Sequence, residues 1–200
     1  MNTTELVAWG GLAIILILVF AETGLLVGLV VPGGETLVFT AGILVSTGTL
    51  SISITILLLL LIIASILGDA SGYLIGKRFG KKLYQKKDTW YFKKQYLHIV
   101  KDYLHRHSRI SLIIGKFFPF IRPFAPLVSG VSKIDPGKFM PLTAVASILY
   151  MSIFSLAGYF LGMQFPIIKE YIGYILPISI VISVVLVVMQ IRKYKKSQAS

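Results

Sequence analysis

One short stretch decides how this chain folds, and it reads Gly115-Lys116-Phe117-Phe118-Pro119-Phe120-Ile121-Arg122-Pro123-Phe124-Ala125-Pro126. It lies inside an apolar run, residues 110–131, that is long enough to cross a bilayer. Its three prolines remove backbone donors and clash with preceding carbonyls, so we do not expect one unbroken helix. Charge and irregular backbone at membrane depth need protein or water around them, so Lys116 and Arg122 are candidate functional residues. The plain alternative is that Lys116 reaches the membrane surface and Arg122 only holds a loop.

The composition excludes an ordinary soluble domain. Of 200 residues, 56% are hydrophobic and 14% are charged, and the mean hydropathy is +0.82, which predicts a polytopic membrane protein. The chain has no cysteine, so disulfides, thiol catalysis and thiolate metal sites are excluded. No basic segment precedes the apolar start, and we expect no secretory signal.

The net charge of +12 is unevenly placed. No Lys or Arg occurs before Lys77, eleven fall within residues 77–109, and four lie within residues 192–196. Basic clusters beside apolar spans follow the positive-inside rule and attract anionic lipid head groups. We therefore expect both clusters, and the C-terminus, on the cytoplasmic side, and no nucleic-acid partner.

These patterns predict one all-α membrane domain, residues 1–200, in which every element is a helix. We predict a first repeat at 6–80, with a re-entrant hairpin at 22–45 and a span at 52–76, followed by a basic amphipathic interfacial helix at 81–109. A second repeat is predicted at 110–165, with a re-entrant hairpin at 110–131 and a span at 139–163. A C-terminal span at 171–191 and a basic cytoplasmic tail at 192–200 complete the prediction. Residues 6–20 are short for a span, so both a tilted crossing and an interfacial position stay open.

The two predicted halves share motifs. Their matches are Gly28-x-x-x-Pro32-x-x-Glu35 with Gly115-x-x-x-Pro119-x-x-Arg122, and Gly72-Tyr73-x-x-Gly76 with Gly158-Tyr159-x-x-Gly162. An even number of crossings must separate the two basic clusters, so the predicted hairpin at 110–131 enters from the cytoplasm and returns. The spans of the two halves then run in opposite directions, which predicts an inverted repeat with two hairpins that meet near the midplane.

Equivalent positions of the two repeats carry opposite charges, because Glu35 corresponds to Arg122. Pairing them would offset part of the cost of taking either charge out of water. The protonation of Glu22 and Glu35 would then depend on whether Arg122 holds an anionic substrate, which suggests proton coupling. Asp69 is either a third proton carrier or a structural residue near the cytoplasmic half of its helix.

The other candidate residues are hinges and packing positions. Proline and glycine breaks mark bends, and small residues at every fourth position let another helix approach closely. The hinge candidates are Pro32, Gly33, Gly34, Pro119, Pro123 and Pro126, and the packing candidates are Gly68, Gly72, Gly76, Gly158 and Gly162.

Four motifs occur in a fixed order over roughly residues 15–165. They are Phe20-x-Glu22, Pro32-Gly33-Gly34-Glu35-Thr36-Leu37, Gly68-Asp69-x-x-Gly72-Tyr73 and Phe117-x-Pro119-x-x-Arg122-x-x-x-Pro126. This set resembles the DedA family of bacterial membrane proteins, part of the wider SNARE-associated Golgi protein or VTT-domain group. The chain departs from the family pattern in two places: many relatives have Arg where Lys116 stands, and the usual single glycine is doubled at residues 33–34.

The resemblance implies a lipid transporter or flippase of the cytoplasmic membrane that depends on the proton motive force and supports envelope integrity. It implies undecaprenyl phosphate or a phospholipid such as phosphatidylethanolamine as substrate. The family's two embedded acids and two bases map onto Glu22, Glu35, Lys116 and Arg122. Lys116 keeps the positive charge but lacks the bidentate fork of arginine. The implied partners are lipids with an anionic or phosphate-bearing head group and protons, with no cofactor; homo-oligomerisation stays open.

Three other functions stay open: an uncoupled lipid scramblase, a small-ion or proton antiporter, and a membrane assembly factor. An enzyme is not expected. Lys116 and Arg122 superficially match the phosphate-binding element of membrane lipid phosphatases, but no histidine follows His107 to act as nucleophile or acid. His98, His105 and His107 lack a partner cluster of carboxylates, so we expect no metal site.

Overall fold

The structure, a computed structural model, describes residues 3–24, 34–85, 110, 112–118 and 121–165. All regular secondary structure in these residues is helical. The helices are α1 (Thr3–Gly24), α2 (Gly34–Ser46), α3 (Ile54–Gln85), α4 (Phe124–Val131) and α5 (Pro136–Gln164). A short helical turn at residues 112–115 precedes α4.

Two of these helices are long and apolar enough to cross a membrane. They contain the apolar segments Ile54–Gly80, of 27 residues, and Pro136–Gln164, of 29 residues, whereas about 20 residues suffice to span the hydrocarbon core. α2 has only 13 residues and is too short to span. Large apolar side chains such as Leu59, Leu67 and Phe160 lie exposed on the long helices, as lipid contact requires.

The helix ends differ from the predicted ones. The apolar segment predicted at 6–20 lies within the longer α1, which carries Glu22 in its last turn. α3 continues past the predicted end at residue 76 to Gln85, because Gly76 and Gly80 pack against α4 within an unbroken helix.

Several predicted elements lie outside the described residues. They are the bend at 25–33, the interfacial helix beyond residue 85, the C-terminal span and the basic tail. Pro32, Gly33 and Pro119 also fall there. The two re-entrant hairpins therefore stay predictions. Just before Pro119, backbone N–H groups at residues 116–118 donate to carbonyls three residues earlier, so turns replace helix at these three residues.

α3 and α5 run antiparallel beside each other. Ser65 contacts Ser147 at 3.2 Å between their hydroxyl oxygens, and Asp69, one turn later in α3, contacts Thr143, one turn earlier in α5. The short helices pack across the two halves, α2 along α5 and α4 along α3. An inverted repeat requires antiparallel spans of this kind.

Glycines bring the backbones of these helices into contact. Gly76 lies against the carbonyl of Leu127 in α4, and Gly158 lies against the carbonyl of Phe39 in α2. In the sequence match, the residue equivalent to Gly158 was Gly72. By packing, the equivalent residue is Gly76, about one helical turn later along α3. Gly72 instead faces the end of α1, a contact that has no counterpart in the sequence match.

Two apolar clusters flank a polar layer along the long helices. The first contains Leu57 and Leu61 of α3 with Tyr150 of α5. The second contains Tyr73 of α3 and Phe139 of α5, whose rings stack with centroids 4.9 Å apart. Between these clusters lie the buried polar residues Ser65 and Asp69 of α3 and Thr143 and Ser147 of α5, so apolar side chains close both ends of this layer.

Candidate functional site

Arg122 is placed by the turn that leads into α4. Its backbone N–H donates to the carbonyl of Phe118 at 2.9 Å, and Pro123 directly precedes the helix. The side chain points inwards, and only 3% of the residue is exposed. An arginine buried to this extent needs charged or polar partners close by.

Three side chains from three helices surround one nitrogen of Arg122. Its Nη1 lies 3.3 Å from Glu35 Oε1, 3.6 Å from Glu22 Oε1 and 2.8 Å from the Tyr150 hydroxyl oxygen. The guanidinium also stacks over the Tyr150 ring, with Cζ 4.5 Å from the ring centroid. Both predicted acids of the first half thus face the predicted base of the second.

Gly34 holds the Glu22 carboxylate at the start of α2. The Gly34 N–H donates to Glu22 Oε1 at 3.3 Å, and the positive end of a helix dipole favours a carboxylate there. A Cβ at residue 34 would overlap this carboxylate. The second glycine of the doubled pair therefore has a packing reason, because no other residue leaves room for Glu22.

Lys116 belongs to a second polar cluster. Its ammonium forms a buried ion pair with the Asp69 carboxylate and donates to Ser147 Oγ at 2.6 Å. The Thr143 hydroxyl donates to the same Asp69 oxygen, and Ser147 Oγ lies 3.4 Å from it. The two predicted cations are therefore paired with different acids.

A small cavity of about 10 Å³ joins the two clusters. That volume is close to the lower limit for one water molecule. Asp69, Lys116, Arg122 and Thr143 form its polar lining. Its apolar lining comes from Leu112, Ala125, Pro126 and Phe139.

Two donors of Arg122 have no hydrogen-bond partner among the described residues. They are Nε and Nη2, and both are buried. An unpaired buried donor is costly, so such a group in a native protein calls for an explanation. At this site, a ligand with oxygen acceptors would supply the missing partners.

The chain matches the VTT domain family over residues 31–160. It is 32% identical to the Escherichia coli protein DedA across its whole length, covering 91% of that protein. The chain belongs to the DedA family. Inner membrane protein YqjA of E. coli is 27% identical over an alignment that covers 88% of this chain and 78% of YqjA. An uncharacterized membrane protein of Mycobacterium leprae is 35% identical over an alignment that covers 78% of this chain and 68% of that protein. No solved structure matches the chain.

In this DedA-family protein, the predicted packing residues line helix contacts. Gly68 lies against the carbonyl of Phe20 in α1, and Gly72 lies against Gly24 and Pro126. Gly162 contacts α2 at its Ser46 end. Pro126, predicted as a hinge, is a buried residue in the first turn of α4.

Sequence reasoning missed three polar residues of α5 that complete the DedA-family site. Thr143, Ser147 and Tyr150 follow helical spacing and face one side of α5, where they contact Asp69, Lys116 and Arg122. A stripe of hydroxyls along a charge-free span was the available signal. His98, His105 and His107 lie outside the described residues. Within the described residues, no group of three His, Asp or Glu side chains is placed to hold a metal ion.

Proposed function

We propose that this DedA-family protein moves a phosphate-bearing lipid across the cytoplasmic membrane and depends on the proton motive force. The candidate lipids are undecaprenyl phosphate and a phospholipid such as phosphatidylethanolamine. The proposal rests on one observation above all: a buried arginine, two of whose donors have no partner among the described residues, lies beside two carboxylates in a membrane protein. Intramembrane charges of this kind mark transport pathways in many proteins.

We assign the cations of the site to binding of the lipid phosphate and its carboxylates to proton coupling. Arg122 and Lys116 are the cations that would attract a lipid phosphate, and both line the small cavity. Glu22 and Glu35 are the carboxylates that contact Arg122, so they are the groups that respond when the arginine binds an anion. We assign proton coupling to these two and a secondary role to Asp69.

The same proposal places the protein in the cytoplasmic membrane with a cytoplasmic C-terminus. The basic clusters at residues 77–109 and 192–196 support this orientation, and YqjA is named an inner membrane protein. We propose transport without catalysis or cofactor, since the chain has no cysteine and its histidines end at residue 107. Lipids and protons are the proposed partners.

Transport in vesicles tests the proposal. Purified protein is placed in proteoliposomes that contain labelled undecaprenyl phosphate or labelled phosphatidylethanolamine, with and without a pH gradient. Gradient-driven movement of one lipid by the wild type, lost in Arg122→Ala, is the expected result. Lys138→Ala is the matched control, because it removes an exposed cation at the start of α5.

The other outcomes identify the alternatives. Lipid movement that ignores the gradient would identify an uncoupled scramblase. Ion flux without lipid movement would identify an antiporter. If neither occurs and Arg122→Ala complements a deletion strain, the proposal is wrong and an assembly role gains support.

A further inference from the structure

We propose that the substrate phosphate binds the Nε and Nη2 edge of Arg122, which no described residue occupies, while Glu22 and Glu35 keep their contacts with Nη1, so that binding takes up one proton. This inference rests on the proposed function, because the phosphate is that of the transported lipid. It specifies which atoms bind the phosphate and what happens to the charge of the site when they do.

The geometry of the guanidinium carries the first step. Nε and Nη2 lie on the same edge of the planar group, and their N–H bonds form the fork that fits two oxygens of a phosphate. Glu22, Glu35 and Tyr150 all contact the remaining nitrogen, Nη1. The acids therefore leave the fork free, and a phosphate does not have to displace them.

The surroundings of Arg122 carry the second step. Arg122 lines the small cavity together with Lys116, so a second cation borders the space beside the arginine. A phosphate group is larger than this cavity, whose volume of about 10 Å³ is near the lower limit for one water molecule. The lining residues must therefore separate before a head group enters, while Lys116 keeps its ion pair with Asp69.

The charge count carries the third step. Glu22 of α1, Glu35 of α2 and Asp69 of α3 face Lys116 and Arg122, and Tyr150 of α5 is the other titratable group at the site. α4 contributes none. Three carboxylates against two cations leave one surplus negative charge. A phosphate added to the free fork brings another, and charge removed from water is costly.

The surplus lies with Glu22 and Glu35. Asp69 has Lys116 as its own counter-ion and accepts a hydrogen bond from the Thr143 hydroxyl. Glu22 and Glu35 share a single nitrogen of Arg122. One of these two is therefore the group that takes the proton. Glu35 is the more accessible, with 35% of its side chain exposed against 12% for Glu22.

The direction of the pH effect follows from the proton count. The bound state holds one more proton than the free state, so affinity rises as the pH falls, by up to about tenfold per pH unit. Glu35→Gln mimics the protonated pair and removes the surplus charge. That variant should bind phosphate with little pH dependence.

Titration calorimetry on the full-length protein in detergent tests the inference. The probes are a short-chain phosphatidylglycerol, whose phosphodiester keeps one charge over the pH range, farnesyl phosphate and inorganic phosphate. Heats measured in two buffers of different ionisation enthalpy count the protons. We expect about one proton taken up per phosphatidylglycerol by the wild type and none by Glu35→Gln. Binding of inorganic phosphate alone would assign the site to a soluble anion and overturn a lipid ligand.

Arg122→Lys tests the fork, because lysine keeps the charge and loses the paired donors. We expect a loss of affinity of at least tenfold. The control is Lys133→Met, at an exposed position.

Wild-type affinity in Arg122→Lys, or equal proton uptake in the wild type and Glu35→Gln, would overturn the inference. The proton-uptake measurement remains valid even if Arg122→Lys misfolds. Gradient-driven lipid transport with no proton uptake on binding would refute only this inference. A wild type that neither binds nor transports any phosphate lipid would refute the proposed function as well.

Discussion

Tyr150 holds Arg122 by both its hydroxyl and its ring. The hydroxyl oxygen lies 2.8 Å from Nη1, and the guanidinium carbon lies 4.5 Å from the ring centroid. Phe117 and Phe154 pack against the same ring, with centroids 5.5 and 4.6 Å away. The tyrosine is therefore fixed in place, and the arginine that stacks on it keeps its Nε and Nη2 edge in one direction.

Removing the Tyr150 hydroxyl should weaken transport while leaving the fold intact. A hydrogen bond to a charged group contributes about 1.5–3 kcal/mol, so we expect Tyr150→Phe to lower the transport rate roughly tenfold or more. The ring stays and keeps its stacking contact. Tyr159→Phe is the control, since Tyr159 packs on Phe160. Vesicle transport gives the rate, and an unchanged rate in Tyr150→Phe would show that the hydroxyl does not position Arg122.

Lys116 and Asp69 should behave as a unit. Removing one partner of a buried ion pair leaves an uncompensated charge and costs about 3–5 kcal/mol. We expect Lys116→Met and Asp69→Leu each to lower the free energy of unfolding by this amount, and the double variant to recover most of the loss. Unfolding in mixed detergent micelles provides the measurement. If the double variant loses the sum of both single losses, the pair is not coupled in the folded protein.

Gly34 should tolerate no side chain. A Cβ there would overlap the Glu22 carboxylate, so Gly34→Ala should move Glu22 away from Arg122 and remove one of the two acids that share Nη1. We expect lower gradient-driven transport and weaker pH dependence, with folding largely retained. Gly11→Ala in α1 is the control, because an added Cβ there meets no described atom within 4 Å. Unchanged pH dependence in Gly34→Ala would argue against a role for Glu22.

A larger side chain should destabilise the contact of α3 with α4 at Gly76 and the contact of α5 with α2 at Gly158 to a similar extent. Gly76 and Gly158 each lie against a backbone carbonyl of a short helix, and overpacking a close contact costs about 1–3 kcal/mol or more. Gly76→Leu and Gly158→Leu should therefore both lower the thermal unfolding temperature in detergent. Gly72→Leu should separate α3 from α1 instead, and Gly10→Leu, at an exposed position, should have little effect. Equal stability of Gly158→Leu and the wild type would contradict the packing.

Most of the helices could be predicted from local patterns, because length and apolar composition depend only on neighbouring residues. The apolar runs placed α3 and α5, and the prolines explained why turns lie at residues 116–117 and 121–123. Glu22, Glu35, Lys116 and Arg122 stood out as charges in apolar surroundings. Asp69 stood out too, with its role open.

The pairing of these charges depends on contacts between distant helices. Sequence alone suggested that Glu35 meets Arg122, but the pairing of Lys116 with Asp69 arises because the turn that begins at Lys116 lies beside α3. Thr143, Ser147 and Tyr150 gain their roles in the same way, since a hydroxyl on an apolar helix has no visible partner until another helix packs against it. The doubled glycine at residues 33–34 likewise has a reason only in three dimensions.

The amino-acid sequence thus determined that the protein lies in a membrane, where its two long helices lie and which charges stand in apolar surroundings, because hydropathy and proline chemistry act locally. The tertiary structure decided which acid meets which base and left one edge of Arg122 without a partner among the described residues. That choice depends on the register between helices, such as the one-turn difference between Gly72 and Gly76. Side-chain packing across the whole fold sets this register.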